Sequence, residues 1–458
     1  MGKPMSCGKN NFGCKHEDGV AVVVTLLFLV ALGVLSTALV FTVGNEMKTS
    51  AAYKYTQQAF YVSNAGVQKA LAWFNSNYTA HLPSSDYDAT SFPVQYSGSS
   101  VMLAGQTGSS SAYPDSSVVT AFLAQFSNQS LQADTDNSGV YALNATLLKY
   151  TPVNFIDPTT FAMYPSAIER WRINSLGYWG TIAKPLGMAQ ITAIIENSGN
   201  AMFDRALWGI DSLDLGGTVL IDSYDPLLGG YGGTNIGYNG DIGSNGSVST
   251  TGNVTVKGDV AFGPSGSFSE GSNVEITGDV IHLSEPHYFP PIPSFSVGTT
   301  DYNPKNGTVT LNPGSYGSVT IGPHGILALT PGVYYFDSIT EGSTGQLTIS
   351  GDTTIFIKTA LDLSGQGVMN PSGDPTKLTI FYSGTDEVKI CGGAQAYVEA
   401  YAPNASLKLV GNGDFFGSFI GQSITVQGNP QVHFDEGCLK EHLIQRPFRF
   451  MTWSQNVY

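Results

Sequence analysis

Charge is sparse in this chain of 458 residues: Asp, Glu, Lys and Arg together make up 12%. Bases are rarer than acids, 20 Lys and Arg against 35 Asp and Glu, for a formal net charge of −15. With so few cations, and those scattered, no basic surface is available to meet phosphate backbones, which argues against a nucleic-acid partner. Three enzyme motifs are also missing: a G-x-S-x-G nucleophile elbow, a phosphate loop and an HExxH zinc motif. Nothing in the pattern calls for a cofactor. Strong helix formers give way to 54 Gly, 23 Tyr and 24 Phe, so the bulk of the chain reads as β. Its length points to two or three domains.

What the chain does have is one long uncharged run. From Gly19 to Asn45, inside HEDGVAVVVTLLFLVALGVLSTALVFTVGNEMK, no side chain is ionised. As a helix, at about 1.5 Å per residue, Val20 to Val43 is long enough to cross a hydrocarbon core of roughly 30 Å. A secretory signal cleaved near Ser36-Thr37-Ala38 is one reading, but its apolar centre is normally about 7–15 residues. A plain membrane anchor is a second, with Lys3, Lys9 and Lys15 favouring a cytoplasmic N-terminus. Beyond the run, Tyr55, Ala59, Val62, Gly66, Ala70 and Trp73 recur at steps of three or four. That spacing predicts one helix face and a single helix from Val20 to about residue 78.

A third reading comes from the surroundings of the run. A short polar leader ends in Gly19, Val20-Ala21-Val22-Val23-Val24-Thr25-Leu26-Leu27 follows at once, and Gln58-Ala59-Phe60 precedes Ala65-Gly66. This resembles a type IV pilin N-terminus, and within that class the PilX-type minor pilins. The resemblance implies cleavage between Gly19 and Val20 by a prepilin peptidase, and a filament-core helix with Val24, Leu27, Leu32 and Leu39 in its apolar half. It implies a single-pass protein of the inner membrane that later joins other pilins and pilus assembly proteins at the cell surface. Most pilins carry Glu at the fifth mature position; here it is Val24, as in minor subunits placed at filament tips. Asn64 also stands where the family commonly has Glu.

Cysteines divide into two pairs. Cys7 and Cys14 lie in the leader, too few with His16 to make a metal site. Cys391 and Cys438 would be outside the cytoplasm, where a disulfide can tie the C-terminal tail to the body; two buried free thiols are the alternative. Strands are expected at VYALNATLLKYTPVNF, ERWRINSLGYWG and MAQITAIIENSG, the last two as an antiparallel pair around a Gly-rich turn, making a small head sheet. Asp134 and Asp136 open a stretch resembling a calcium loop, but its twelfth position is Ala145 rather than Glu, so a surface turn competes with a calcium site.

After Phe203 a phrase repeats: NVTVKGDV at 253–260 returns as NVEITGDV at 273–280. Shorter forms follow at Val319-Thr320-Ile321, Leu347-Thr348-Ile349, Leu361-Asp362-Leu363, Leu407-Lys408-Leu409 and Ile424-Thr425-Val426. Such short strands bury their apolar residues only by stacking coil on coil, which predicts a parallel β-helix; an antiparallel sandwich is the runner-up. The Pro-rich stretch 285–293 cannot join a central ladder and reads as an excursion or a linker between sub-stacks. The expected fold class is therefore mainly β with a long N-terminal α-helix: a pilin-like helix and small antiparallel sheet, then a parallel β-helix. The expected divisions are a leader over 1–19, the helix over 20–78, the head sheet over 79–205, the β-helix over 206–437 and a tail over 438–458. The Gly-rich segments of this half also resemble a solenoid domain found C-terminal to PilX-like anchors.

Solenoids also host polysaccharide enzymes, so Asp222, Asp225, Asp241, Asp259 and Asp279 are weighed with His282, His287, His324 and His433. Asp259 and Asp279 occupy equivalent corners, where an Asp ordinarily accepts backbone N–H bonds. Tyr224, Tyr231 and Tyr238 fall in a Gly-rich rhythm that suits a surface glycan or another cell-surface ligand as well as it suits core packing. The reading adopted is a non-enzymatic minor pilin displaying a β-helix for assembly, adhesion or surface interaction. The alternatives are a membrane-anchored β-helix enzyme on polysaccharide and a bulk filament subunit.

Overall fold

The computed structural model describes residues 18–80, 86–132, 138–364, 368–392 and 395–457. The chain is mainly β with one long N-terminal helix, a small antiparallel sheet and then parallel sheets. Helix α1 runs unbroken over Asp18–Ser76, about 90 Å at 1.5 Å per residue. A second helix, α2, spans Ser116–Phe126; Asp115 caps it by accepting the Ser117 N–H, and Phe122 and Phe126 are its buried residues. The sequence reading did not foresee α2.

Three long strands follow: β1 (Ser138–Ile156), β2 (Met163–Thr181) and β3 (Lys184–Ala201). They pair antiparallel, and buried residues alternate with partly exposed ones along β2 and β3, as expected for a sheet with one covered face. The second half of α1 is the cover. Ala59, Val62, Ala70 and Trp73 are buried against the sheet, and the Ser63 hydroxyl donates to the Ser175 carbonyl at 2.8 Å. The helix comes so close that a Cβ on Gly177 would collide with the Ala59 carbonyl, which is why the S-x-G of Ser175-Leu176-Gly177 needs its glycine.

From the head the chain passes into a stack of parallel turns. Strand β4 (Leu207–Tyr224) is flanked on one side by Ile242–Ser244 and β5 (Ser247–Val256). Beyond β5 lies β6 (Asn273–Ile276), and beyond Val260–Phe262 lies β7 (Val280–His282), with Asn253 opposite Asn273 and Val260 opposite Val280, so the repeated phrase stacks on itself one turn apart. The Pro-rich excursion then runs back along the outside. Phe289 packs near Trp208, Tyr401 donates to the Pro290 carbonyl, and Phe295 reaches Tyr335 and Phe356. The chain re-enters at the far end and returns through β8 (Gly332–Glu341), β9 (Thr353–Leu363), β10 (Leu378–Tyr382), β11 (Ala396–Gly411), β12 (Asp414–Gly428) and β13 (Gln431–Asp435). Strands β12 and β13 dock on the free side of β4. The spatial order of turns is thus a permutation of the chain order, closed at β4.

In each short phrase the two apolar residues point inward and the middle one outward. Val319, Ile321, Leu347, Ile349, Leu407, Leu409, Ile424 and Val426 are all buried. Each such side chain contributes on the order of 1.5–3 kcal/mol by leaving water. Residues 438–458, expected as a tail, instead carry strand β14 (Leu443–Val457), which pairs antiparallel with β3 along its length. The parallel stack is therefore inserted between two neighbouring strands of the head sheet. Unpaired N–H and C=O groups on the β3 edge are the physical reason that this segment does not trail free.

Candidate functional site

The surface that most needs a partner is the first half of α1. Val20, Leu27, Leu32 and Leu39 are each more than half exposed, and Val24 is 46% exposed. The helix carries a window of mean hydropathy 2.7, none of it covered by the rest of the protein. Its threonine hydroxyls are turned onto the helix itself: Thr25, Thr37 and Thr42 donate to the carbonyls of Ala21, Gly33 and Ala38 at 2.8, 2.7 and 2.9 Å. No polar group of these three threonines is then left for lipid to strand. Gly19 and Val20 fall in the first turn of α1.

The acids weighed as catalytic do structural work. The Asp259 N–H donates to Asp241 Oδ1 and the Asp279 N–H to Asp259 Oδ1, both at 2.8 Å, so the corner carboxylates stitch successive turns. Asp225 caps a 3-10 turn by accepting the Leu227 N–H. His282 stacks on Phe262, His287 stands beside Trp208 and Phe289, and the His324 backbone N–H bonds the Thr344 hydroxyl. These three histidines are spread along the stack rather than gathered.

One pair does meet. The parallel register of β4 and β13 puts His433 opposite Asp222, Nδ1 lying 2.6 Å from Oδ1, with both residues buried. Lys257 Nζ is 3.6 Å from Asp222 Oδ2, and the Tyr231 hydroxyl donates to the same oxygen at 3.0 Å. Tyr231 also lies on the imidazole, ring centres 3.8 Å apart. In the next positions the Ser223 hydroxyl donates to Glu436 and the Tyr224 hydroxyl to Asp435, at 2.9 and 2.6 Å. The tyrosine rhythm therefore splits: Tyr224 is core, Tyr231 covers the pair, and Tyr238 is exposed, with the Lys257 ammonium 5.7 Å from its ring. The Asp222–His433, Ser223–Glu436 and Tyr224–Asp435 contacts join the first strand of the stack to its last strand and the turn that follows it, so the cluster is a polar clasp on the permuted junction. Residues 211 apart carry no sequence signal that they will touch.

Two further buried acids were not foreseen. In the head, Glu169 accepts from the Tyr78 hydroxyl at 2.7 Å and the Trp171 indole N–H at 2.8 Å, and burial pushes its carboxyl up to about 7 against these two bonds. Where the stack meets the head, His442 Nδ1 lies 3.0 Å from Glu399 Oε2, and Thr379 donates to that oxygen at 3.0 Å. Burial pushes the His442 imidazole down, but Glu399 and Glu441 outweigh it and hold the ring above its usual value.

The disulfide left open in the sequence is not formed: Cys391 and Cys438 are free thiols. Cys391 sits half-buried in a strand opposite Val410, while Cys438 is the buried residue of the turn Glu436–Lys440. Burial and then Glu399 push the Cys438 thiol far up, which makes it unreactive. The calcium candidates Asp134 and Asp136 lie outside the described residues, as do Cys7 and Cys14.

A family profile described as a domain of unknown function (DUF7305) matches residues 305–441, which is the returning half of the stack. No curated protein matches the chain in sequence. Among solved structures the chain is similar to the competence-associated pilin ComZ from Thermus thermophilus, at 12% identity and a TM-score of 0.23, over 88% of this chain and 98% of that one.

Proposed function

We propose that this chain is a PilX-like minor pilin that enters a type IV pilus or pseudopilus through α1. The observation that carries the reading is one unbroken helix whose first half is apolar and uncovered while its second half is the spine of a folded head. An apolar rod of that kind needs a membrane before assembly and the core of a filament afterwards. In this reading prepilin peptidase cuts between Gly19 and Val20, and the subunit leaves the inner membrane for the cell surface. Val24 in place of an acid suits a position at or near the filament tip, where no further subunit has to be engaged from above. The stack is then displayed outward for pilus assembly, adhesion or contact with a surface ligand. Its acids hold turns together, which favours display over catalysis.

The test is processing. Gly19 has no Cβ, and close approach of an extended segment to a peptidase uses that freedom. Gly19→Phe, expressed beside a pilus assembly system, should keep residues 1–19 by intact mass and stay in the membrane fraction, while the parent chain starts at Val20 and appears in sheared filaments. A mature N-terminus near Ala38 would mean an ordinary signal peptide. An uncut parent chain that never leaves the membrane would mean a plain anchor.

A further inference from the structure

The two ends of the stack are finished differently. At the end where the chain re-enters, it covers itself: Tyr302 bridges Val319 in parallel, and the Gly298 and Tyr302 amides donate to the Tyr316 and Ser318 carbonyls at 3.1 and 3.0 Å. Val319 and Ile321 beneath are fully buried. At the opposite end β6 pairs only with β5, and β7 only with Val260–Phe262. Burial along the ladders registers the missing neighbour. Val254, Val256 and Val260 are buried, whereas one turn further out Val274 and Ile276 are only half-buried and Val280 is 47% exposed. The following segment does not fold over this turn, because His287 is already back beside Asn245, its N–H donating to Asn245 Oδ1 at 2.7 Å. Among the described residues, the last turn thus lacks a partner for one backbone edge and for part of its apolar interior.

Charge narrows what can fill that place. From Gly258 to Thr300 the chain carries Asp259, Glu270, Glu275, Asp279 and Glu285 and not one Lys or Arg. Two copies joined through this edge would bring Glu275 and Asp279 against their own counterparts, and like charges set opposite each other in a sheet are destabilising. Joining head to tail would meet the covered end instead. We propose that the open turn receives an extended segment of a different protein, added as one more strand whose β-branched residues cover Val274, Ile276 and Val280 and whose Lys or Arg face Glu275 and Asp279. Main-chain bonds along the edge would give affinity, and the alternating pockets and charges would give choice of partner. The inference does not depend on whether α1 enters a filament.

The full chain in detergent micelles allows the test, with two short labelled peptides of the same Val and Ile pattern, one with Lys and one with Glu at the alternate positions. Fluorescence anisotropy should show saturable binding of the Lys peptide, weakened by salt, and none of the Glu peptide. Glu275→Lys, on the outer side of its strand, should weaken the Lys peptide about tenfold or more. Val280→Lys, at an exposed position, should do the same with an unchanged melting temperature. No saturable binding of the Lys peptide, or variants that bind it as tightly as the parent chain, overturns the proposal. So does concentration-dependent dimerisation that Val280→Lys abolishes, since the occupant would then be a second copy.

Discussion

In the head the buried carboxylate of Glu169 meets two neutral donors, Tyr78 and Trp171, whereas in the stack the buried carboxylate of Asp222 meets His433, Lys257 and Tyr231. Both regions have an apolar core, yet they surround the acid there with different partners. Burial is uncompensated by a cation at Glu169 and lifts its carboxyl to about 7. At Asp222 a cation and two donors from three separate segments converge, and the acid earns its place by joining strands that the chain order keeps apart. A buried acid in this molecule therefore marks either a carboxyl that burial lifts, as at Glu169, or a seam, as at Asp222.

The largest effect should come from the dry interior of the stack, which has no counterpart to either arrangement. Val256 is fully buried in its ladder, while its partner one turn out, Ile276, is only half-buried. Val256→Asp places an unpaired carboxylate where nothing can bond it and should cost about 4 kcal/mol. Ile276→Asp should cost less than half as much, because water reaches the last turn. Equal shifts of the two variants in a urea melt would remove the distinction between the interior and the open end.

Next comes the head, through pH. Glu169 keeps its proton up to about 7 when folded and loses it near 4.5 when unfolded. Between those values the folded state binds more protons than the unfolded one, so stability falls as pH rises. The contribution is full below pH 4.5 and gone above about 7, on the order of 3 kcal/mol in all. Glu169→Gln should flatten that slope and make the head more stable than the parent at pH 8. Trp73, Trp171, Trp179 and Trp453 all lie in the head, so tryptophan fluorescence in urea melts from pH 4.5 to 8 reads the right region. A slope unchanged in the variant would show that Glu169 is ionised throughout.

The same amide swap should act with the opposite sign in the stack. Asp222→Asn keeps the shape but removes the charge facing Lys257 and turns an acceptor into a donor beside donors. A loss of about 2 kcal/mol is expected at pH 8. Stabilisation by both swaps, or loss by both, would break the contrast between the two acids.

How much of this was legible in the sequence depends on range. The buried face of α1 shows in the three-and-four spacing of Ala59, Val62, Gly66 and Ala70, and the stacked turns show in the phrase repeated from Asn253 to Asn273, because both are local periodicities. The order of turns does not show, since every V-x-V rung looks alike and nothing in it says which neighbour it will have. Asp222 and His433 were each visible as candidates, but their meeting needs the permuted closure at β4. Helix α2 had an overt signal in Asp115 ahead of Phe122 and Phe126. Strand β14 had less of one, because register shifts between Arg446 and Arg449 and between Phe450 and Thr452 break its alternation.

The smallest expected effect lies on the outer face of the stack, where water does what the clasp does inside. Thr255 is only half-buried and stands between Leu220 and Glu275 in the parallel register. Thr255→Lys places a cation beside Glu275 and should stabilise slightly, whereas Thr255→Asp sets like charges side by side and should destabilise slightly. A cross-strand charge pair contributes roughly 0.2–1 kcal/mol, so each variant should shift stability by no more than about 1 kcal/mol, in opposite directions. High salt should erase that difference, as it cannot for Asp222, because only the outer pair lies within reach of the counterions. A Thr255→Asp loss as large as that of Val256→Asp would mean that this side of β5 is covered, and would move the boundary between interior and surface drawn through the whole stack.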